Sequence, residues 1–374
     1  MTADLSPTHA PVPLDEYPLH QTPLSLARVG STDRNFYDRS YFNAHDRAGG
    51  TLLITGLGVY PNLGVIDAYA AVRRGDTLRA VRFSDALRRR DLEQRVGGYR
   101  IEVREPLQRI RIVCEHDDLA FDLTWTGAFP AVQEQSHVIL GASRPIIDAS
   151  RFAQVGSWEG TLAVDGADIA VTPDIWTGTR DRSWGIRPVG EPEPAGRPAA
   201  DPSGGFWWVY APLRFDDFAI VVIVQENPDG FRTLNDAVRV WPDGRIEQLG
   251  WPRVHIEYRS GSRHPVSARL ELTTPDGKPL DIHIRPHTCY PLHIGCGYGG
   301  DPDWTHGQWK GENWSASTTY DLTNPATSAR IPWGVIDHVA QARCGDAEGW
   351  GLFEHATMGR HTPTGFTDWA TVAP

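Results

Sequence analysis

The chain is predicted to be all-β, folded as two antiparallel barrels in tandem, and three observations carry that prediction. Apolar and polar side chains alternate with a period of two in many short runs, helical patterning is nearly absent, and two tryptophan-glycine landmarks recur at almost constant spacing. The alternation is clearest in Leu119, Phe121, Leu123 and Trp125, which interleave with Ala120, Asp122 and Thr124 and put the large side chains on one strand face. RIRIVCE (109–115), RVHIEY (253–258), VSARLELT (266–273), LDIHIRP (280–286) and YRIEVRE (99–105) are similar runs bounded by turn residues. About sixteen such candidates can be counted at the usual strand length of roughly five or six residues. Only SDALRRRDLEQR (84–95) reads as a helix, with Ser84 as its N-cap.

The landmarks suggest duplication. SWEG (157–160) matches QWKG (308–311) and SWGI (183–186) matches PWGV (332–335), with the tryptophans offset by 151 and 149 residues. A barrel of about eight strands has no exposed edge and can hold one small ligand, so an apolar pocket is the expected site. Between the halves, PVGEPEPAGRPAADPSGG (188–205) carries five prolines and four glycines and no apolar face, as a linker or lid would. The expected organisation is an extended or disordered arm over 1–30, a first barrel over 31–190, a linker or lid over 191–204 and a second barrel over 205–374.

Composition narrows the partners. With a net charge of −11 and its 36 basic residues scattered, the chain lacks the surface that would track nucleic acid or an anionic membrane. Cys114, Cys289, Cys296 and Cys344 form no disulfide framework, which points to a reducing compartment. The N-terminus is acidic and proline-rich where a secretory signal is basic and then apolar. The longest apolar run, FAIVVIV (218–224), is far short of the roughly 20 residues that span a bilayer. A cytoplasmic protein with no membrane span, and with a hydrophobic small molecule as its partner, is the expectation.

The chemistry-bearing residues cluster in a few places. In TGTRDRSWGIRP (177–188), an extended backbone puts Asp181 and Ser183 on one face and Arg180, Arg182 and Trp184 on the other. Arginine stays charged up to a pKa above about 12, so Arg182 can bind or orient a polar group but cannot act as an acid. Asp181 can titrate; equally, it can pair with an arginine across the sheet. Trp184, Trp207, Trp208 and Tyr210 would either fill a barrel or shelter a cation in a ligand, an attraction of about 2 kcal/mol when desolvated. The C-terminal half supplies His306, Asp337, His338, Glu354, His355 and His361. Glu354 and His355 must face opposite ways, and one of them inward. His283, His287, Cys289, His293 and Cys296 lack the ligand spacing of a finger or ribbon, the glycines of 295–301 precede no helix, and no G-x-S-x-G elbow is present. Neither a metal nor a cofactor is expected.

Through DRSWG (181–185), GGFWWVYAPL (204–213) and the W-x-G strands, the chain from about residue 31 onward resembles the carotenoid 1,2-hydratase (hydroxyneurosporene synthase) superfamily. The resemblance implies two tandem lipocalin-like barrels acting on isoprenoid or similarly greasy molecules by hydration, dehydration or ring closure. The chain departs from that pattern where Arg182 replaces a histidine and Trp207 an acidic residue, each removing a group that could move a proton. The combined expectation is a cofactor-independent hydro-lyase. Asp181 would donate or position the proton, His306, His338, Glu354 and His355 would compete as base, and Arg182, Trp184, Trp207, Trp208 and Tyr210 would bind substrate. A non-catalytic carrier and a shape-selective cyclase are the alternatives.

Overall fold

Alternating side chains fold into strands, and among the described residues the helical elements are a four-residue turn at Pro325–Ser328 and a short 3-10 turn at Thr362–Thr364. The computed structural model describes residues 16–18, 29–88, 92–141, 144–190 and 204–374. Its first sheet takes β1 (Phe36–His45), β2 (Thr51–Tyr60), β3 (Val65–Arg74), β4 (Thr77–Ala86), β5 (Gln94–Val96), β6 (Tyr99–Glu105) and β7 (Arg109–Cys114). It continues with β8 (Leu119–Gly127), β9 (Val132–Gln133), β10 (His137–Leu140), β11 (Pro145–Val164), β12 (Ala167–Val171) and β13 (Thr177–Ile186). The second sheet takes β14 (Gly205–Arg214), β15 (Ala219–Glu226), β16 (Arg232–Val240), β17 (Ile246–Gln248), β18 (Gly250–Tyr258), β19 (Pro265–Thr273) and β20 (Pro279–Pro291). After it, β21 (Trp314–Asp321) returns to pair with β4 of the first sheet, while β22 (Ile336–Cys344) and β23 (Ala347–Gly359) complete the second.

Both sheets are antiparallel and curl into barrel-like shapes, as the alternation predicts. They also share a winding: the first strand of each pairs with its last, β1 with β13 and β14 with β23. On one side of that pair follow β2, β3 and β4 or β15, β16 and β17; on the other follow β11, β8, β7 and β6 or β22, β20, β19 and β18. Repetition therefore exists in strand order. The tryptophan landmarks do not mark it: SWEG and SWGI lie in β11 and β13, whereas QWKG and PWGV lie in loops and turns.

The expected helix over 84–95 is absent. Ser84 lies in β4 with ladder partners on both sides, Asp67 and Trp314, so its backbone is committed to a sheet and cannot start a helix. Residues 89–91 of that stretch, and 191–203 of the expected linker, lie outside the described residues. Within the expected N-terminal arm, Glu16 is buried, with its carboxylate 2.6 Å from Arg180.

Each barrel is filled by its own inward side chains. Phe42, Leu57, Trp125 and Trp158 belong to the core of the first, and Val209, Leu213, Ile220 and Phe353 to that of the second. Burying each such side chain contributes about 1.5–3 kcal/mol. Two further clusters join the outer faces: Ala153 and Val155 meet Tyr210, Leu352 and Ala356, and Tyr41, Ile54 and Tyr69 meet Tyr290 and Val339. The barrels thus stand back to back on the strands where each sheet joins first to last. Gly185 of the DRSWG stretch has φ +130, and a Cβ there would sit 2.2 Å from the Asp148 carbonyl oxygen, so close pairing of β13 with β11 requires glycine. All four cysteines are free and buried. Among the described residues, no helix is long and apolar enough to cross a membrane.

Candidate functional site

The seam between the barrels holds a cavity of about 520 Å³ lined from both sheets. Strand alternation decides what it presents. Along β1, Tyr37, Arg39 and Tyr41 face outward to the seam while Asp38, Ser40 and Phe42 alternate with them; the register sets Tyr41 beside Asp181 and Arg39 beside Ser183 of β13. On the opposite sheet, Tyr210 of β14 pairs with Glu354 of β23, and Glu354 with Asp337 of β22. Each barrel therefore offers a tyrosine-acid pair at its first-to-last strand junction.

These acids interact. Burial pushes the Asp181 carboxyl up to about 6, with Arg151 pulling it down and Glu354 pushing it further up. Asp337 is fully buried and raised well above the usual carboxylate range by that burial and by neighbouring Glu354, although Tyr41 donates a hydrogen bond to it. Trp208 donates its indole N–H to Glu354 at 2.5 Å, fixing one carboxylate oxygen. A fourth carboxyl, Glu134, is pushed up to about 7 by burial even though Arg151 bonds it at 2.6 Å. Arg151 in turn lies 5.3 Å above the Trp208 ring and 4.7 Å above Tyr210.

The remaining wall comes from the connection between β20 and β21. Gly307 donates its N–H to Asp67 of β3 at 2.7 Å and ties this loop to the first barrel. Gly297, at φ +80 and with the Trp304 ring 2.5 Å from where a Cβ would stand, makes the turn that only glycine fits. The loop sets Tyr298 and His306 against Tyr69, ring centres 4.9 Å and 5.2 Å from that of His306. Burial, with Arg39 and Arg187, drives His306 well below the ordinary histidine range, so it stays neutral. Phe206, Trp208 and Trp333 line the second-barrel side.

Of the catalytic and binding candidates singled out in the sequence, Asp181, His306, Glu354 and Trp208 meet in this cavity, and His293 of the histidine-cysteine tract lines it as well. Tyr210 stands behind Trp208, ring centres 6.5 Å apart. The others lie elsewhere, and each displacement follows from alternation. Arg182 is inside the first barrel, donating to Asp38 at 2.8 Å, Ser40 at 2.8 Å, Gln94 at 3.1 Å and the Glu16 carbonyl at 3.0 Å. Trp184 shares that face and packs on Phe152. Trp207 is inside the second barrel, stacked on His361 at 5.2 Å. His338 there donates its Nδ1–H to the Phe353 carbonyl, and His355 bonds Tyr258 and Thr357, so neither reaches the cavity. Of the Glu354 and His355 alternatives, histidine points into the barrel and glutamate into the seam.

Sequence reasoning missed Arg39, Tyr41, Tyr69, Glu134, Arg151, Arg187 and Tyr298. Tyr37, Arg39 and Tyr41 share a face by simple alternation, but only the β1–β13 register connects that face to Asp181. The histidine-cysteine tract contributes Cys289 alone to a group with His264 and His338, whose candidate ligand atoms lie within 4.8 Å of one another. Arg73 donates to the Cys289 sulfur at 3.3 Å, and this guanidinium already supplies positive charge there.

A family described as a family of unknown function (DUF8625) matches residues 12–367. No curated protein matches. Among solved structures, a protein from Nitrosomonas europaea provisionally assigned as AttH aligns with a TM-score of 0.52 at 15% identity, over 86% of this chain and 92% of that chain. Kievitone hydratase from Nectria haematococca aligns at TM-score 0.49 and 13% identity, over 89% and 90%. CghA aligns at 0.48 and 12%, over 86% and 88%. At 15% identity the first of these shows a likeness of fold alone, and the tandem curled sheets are those that the carotenoid hydratase resemblance implied.

Proposed function

The chain belongs to that family of unknown function, membership of which names no reaction, and we propose from the cavity that it is a cofactor-independent hydro-lyase for an apolar, isoprenoid-like alkene or tertiary alcohol. One observation carries the reading: Asp181 and Glu354, on equivalent strands of the two sheets, open into one aromatic-walled cavity, with Asp181 raised to about 6 by burial. In hydration, protonated Asp181 gives its proton to one alkene carbon, leaving a tertiary cation at the other. Ring faces of Tyr69, Tyr298 and Trp208 shelter the positive charge. Water adds to the cation as Glu354, oriented by the Trp208 N–H, takes the released proton. Proton return from Glu354 to Asp181 restores the site, and dehydration is the same path reversed. Two carboxyls facing one cavity from opposite barrels can serve as an acid and a base working together.

The test is incubation with a panel of isoprenoid alkenes and tertiary alcohols in ¹⁸O-labelled water. Label should enter at a tertiary carbon, and Asp181→Asn should abolish its entry while ligand affinity changes less than about threefold. Unlabelled products across the panel, or full turnover by the Asn variant, would overturn the proposal; retained ligand without turnover would leave a carrier.

A further inference from the structure

We infer that the ligand carries an anionic oxygen head group, a carboxylate in the simplest case, held by Arg39 and Arg187 at the first-barrel wall of the cavity. The inference rests on the proposed function only in taking this cavity as the ligand site. Arg39 is 7% exposed, with its Nη1 buried and without a hydrogen-bond acceptor. Its guanidinium lies 5.3 Å from the Tyr37 ring centre and 5.2 Å from that of Tyr298; Arg187 lies 5.5 Å and 5.7 Å from the same two rings. Two cations thus share one aromatic platform, and neither forms an ion pair with a carboxylate among the described residues.

That absence is informative because the other buried arginines here are matched, Arg263 by the backbone carbonyls of Thr357, Gly359, Asp368 and Thr371 and the rest by carboxylates. Arg180 pairs with Glu16 at 2.6 Å, Arg182 with Asp38 at 2.8 Å, Arg151 with Glu134 at 2.6 Å and Arg82 with Asp303 at 3.1 Å. Asp67 and Asp181 lie within electrostatic reach of Arg39 but neither bonds it; a guanidinium out of water with no bonded carboxylate is costly, and a planar anionic oxygen group is what its fork of donors fits. A second feature points the same way. His306 lines the same wall, is 3% exposed, and has both ring nitrogens buried without a hydrogen bond; Nδ1 lies 3.8 Å from Asp67 Oδ1, and the Nε2–H tautomer offers a donor to that group.

The register gives a length. Arg39 sits beside Ser183, and Asp181 lies two residues further along β13, roughly 7 Å at strand rise. A head group on the arginines therefore leaves the reacting carbon several bonds away, with the apolar remainder toward Phe206, Trp208 and Trp333.

The inference is tested by fluorescence titration of the full chain at pH 8 with two matched probes, cis-parinaric acid and its methyl ester. The acid should bind about 10–100-fold more tightly than the ester. Arg39→Gln and Arg187→Gln should each erase about tenfold or more of that preference and leave ester binding unchanged. Thermal unfolding checks both variants; Arg187 is only half-buried, so its variant keeps the test open should Arg39→Gln fail to fold. Equal binding of acid and ester to the unsubstituted protein, or equal loss of both in the variants, overturns the anionic head group while leaving the cavity as a ligand site. Binding of neither probe overturns both readings.

Discussion

Asp181→Asn should stabilise the protein at pH 8 relative to its effect at pH 4, and the size of that difference tests whether Asp181 is a strained acid or half of an ion pair. Burial raises the native carboxyl from 3.8 to about 6. Between those values the folded chain retains a proton that the unfolded chain has released, so stability falls as pH rises from about 4 to about 6 and stays lower above. Roughly two pH units at about 1.36 kcal/mol each set a ceiling near 3 kcal/mol. Because the carboxyl opens onto a cavity that water can enter, about 1–2 kcal/mol is the expected figure. Asparagine keeps the shape and cannot ionise. The other titrating groups are common to both proteins and largely cancel in the difference.

Urea unfolding of both proteins at pH 4 and pH 8, at one ionic strength and followed by circular dichroism and tryptophan fluorescence, gives the four free energies needed. The Asn variant should gain on the unsubstituted protein by about 1–2 kcal/mol between the two pH values. A difference that does not change with pH would mean that burial does not raise the acid. If instead the variant loses ground at pH 8, Asp181 is a stabilising partner of Arg151, and the case for a poised proton donor falls with it.

Two further substitutions separate structure from chemistry. Arg182→Met removes the guanidinium that bonds Asp38, Ser40, Gln94 and the Glu16 carbonyl inside the first barrel; breaking that buried pair should cost about 3–5 kcal/mol, read as a fall in Tm of about 6–20 °C, with methyl parinarate affinity unchanged. Lost affinity with little change in Tm would return Arg182 to the ligand site. Trp208→Phe keeps an aromatic face but not the N–H donated to Glu354; under the proposed mechanism kcat should fall about tenfold with KM within about twofold, whereas a rise in KM alone would make Trp208 a binding surface only.

The period-two pattern made the strands legible, and with them the opposite facing of Asp181 and Arg182. It could not say which face was the barrel interior, because the covering of β1, β13, β14 and β23 by the other barrel buries both sides of these strands. Both faces of GLFEHATMG are consequently apolar with ionisable interruptions, and Glu354 and His355 look alike in the sequence. Trp207 and Trp208 pose the same ambiguity. The cavity arginines were illegible for a different reason: Arg39, Arg151 and Arg187 are far apart along the chain, and only ladder register brings them to one wall. In the 84–95 stretch, good helix formers were overridden by pairing of β4 with β3 and β21, a tertiary effect absent from local sequence.

The shared strand order explains why the site lies between the barrels. A lipocalin-like barrel offers its interior to a ligand, but here the first interior is occupied by Phe42, Trp125 and Trp158 and by the Glu16, Arg180 and Arg182 network, and the second by Phe353, His355 and the stacked Trp207 and His361. What remains is the outer surface of each first-to-last strand junction. Repetition of one winding puts Tyr41 and Asp181 on one junction and Tyr210 and Glu354 on the other. Packing the two junctions together brings the acids within each other's electrostatic reach, which a single barrel could not do. The raised proton affinity of Asp181 is then in part a property of the tandem: Glu354, which pushes it up, belongs to the other sheet, and the chemistry proposed for the cavity requires both.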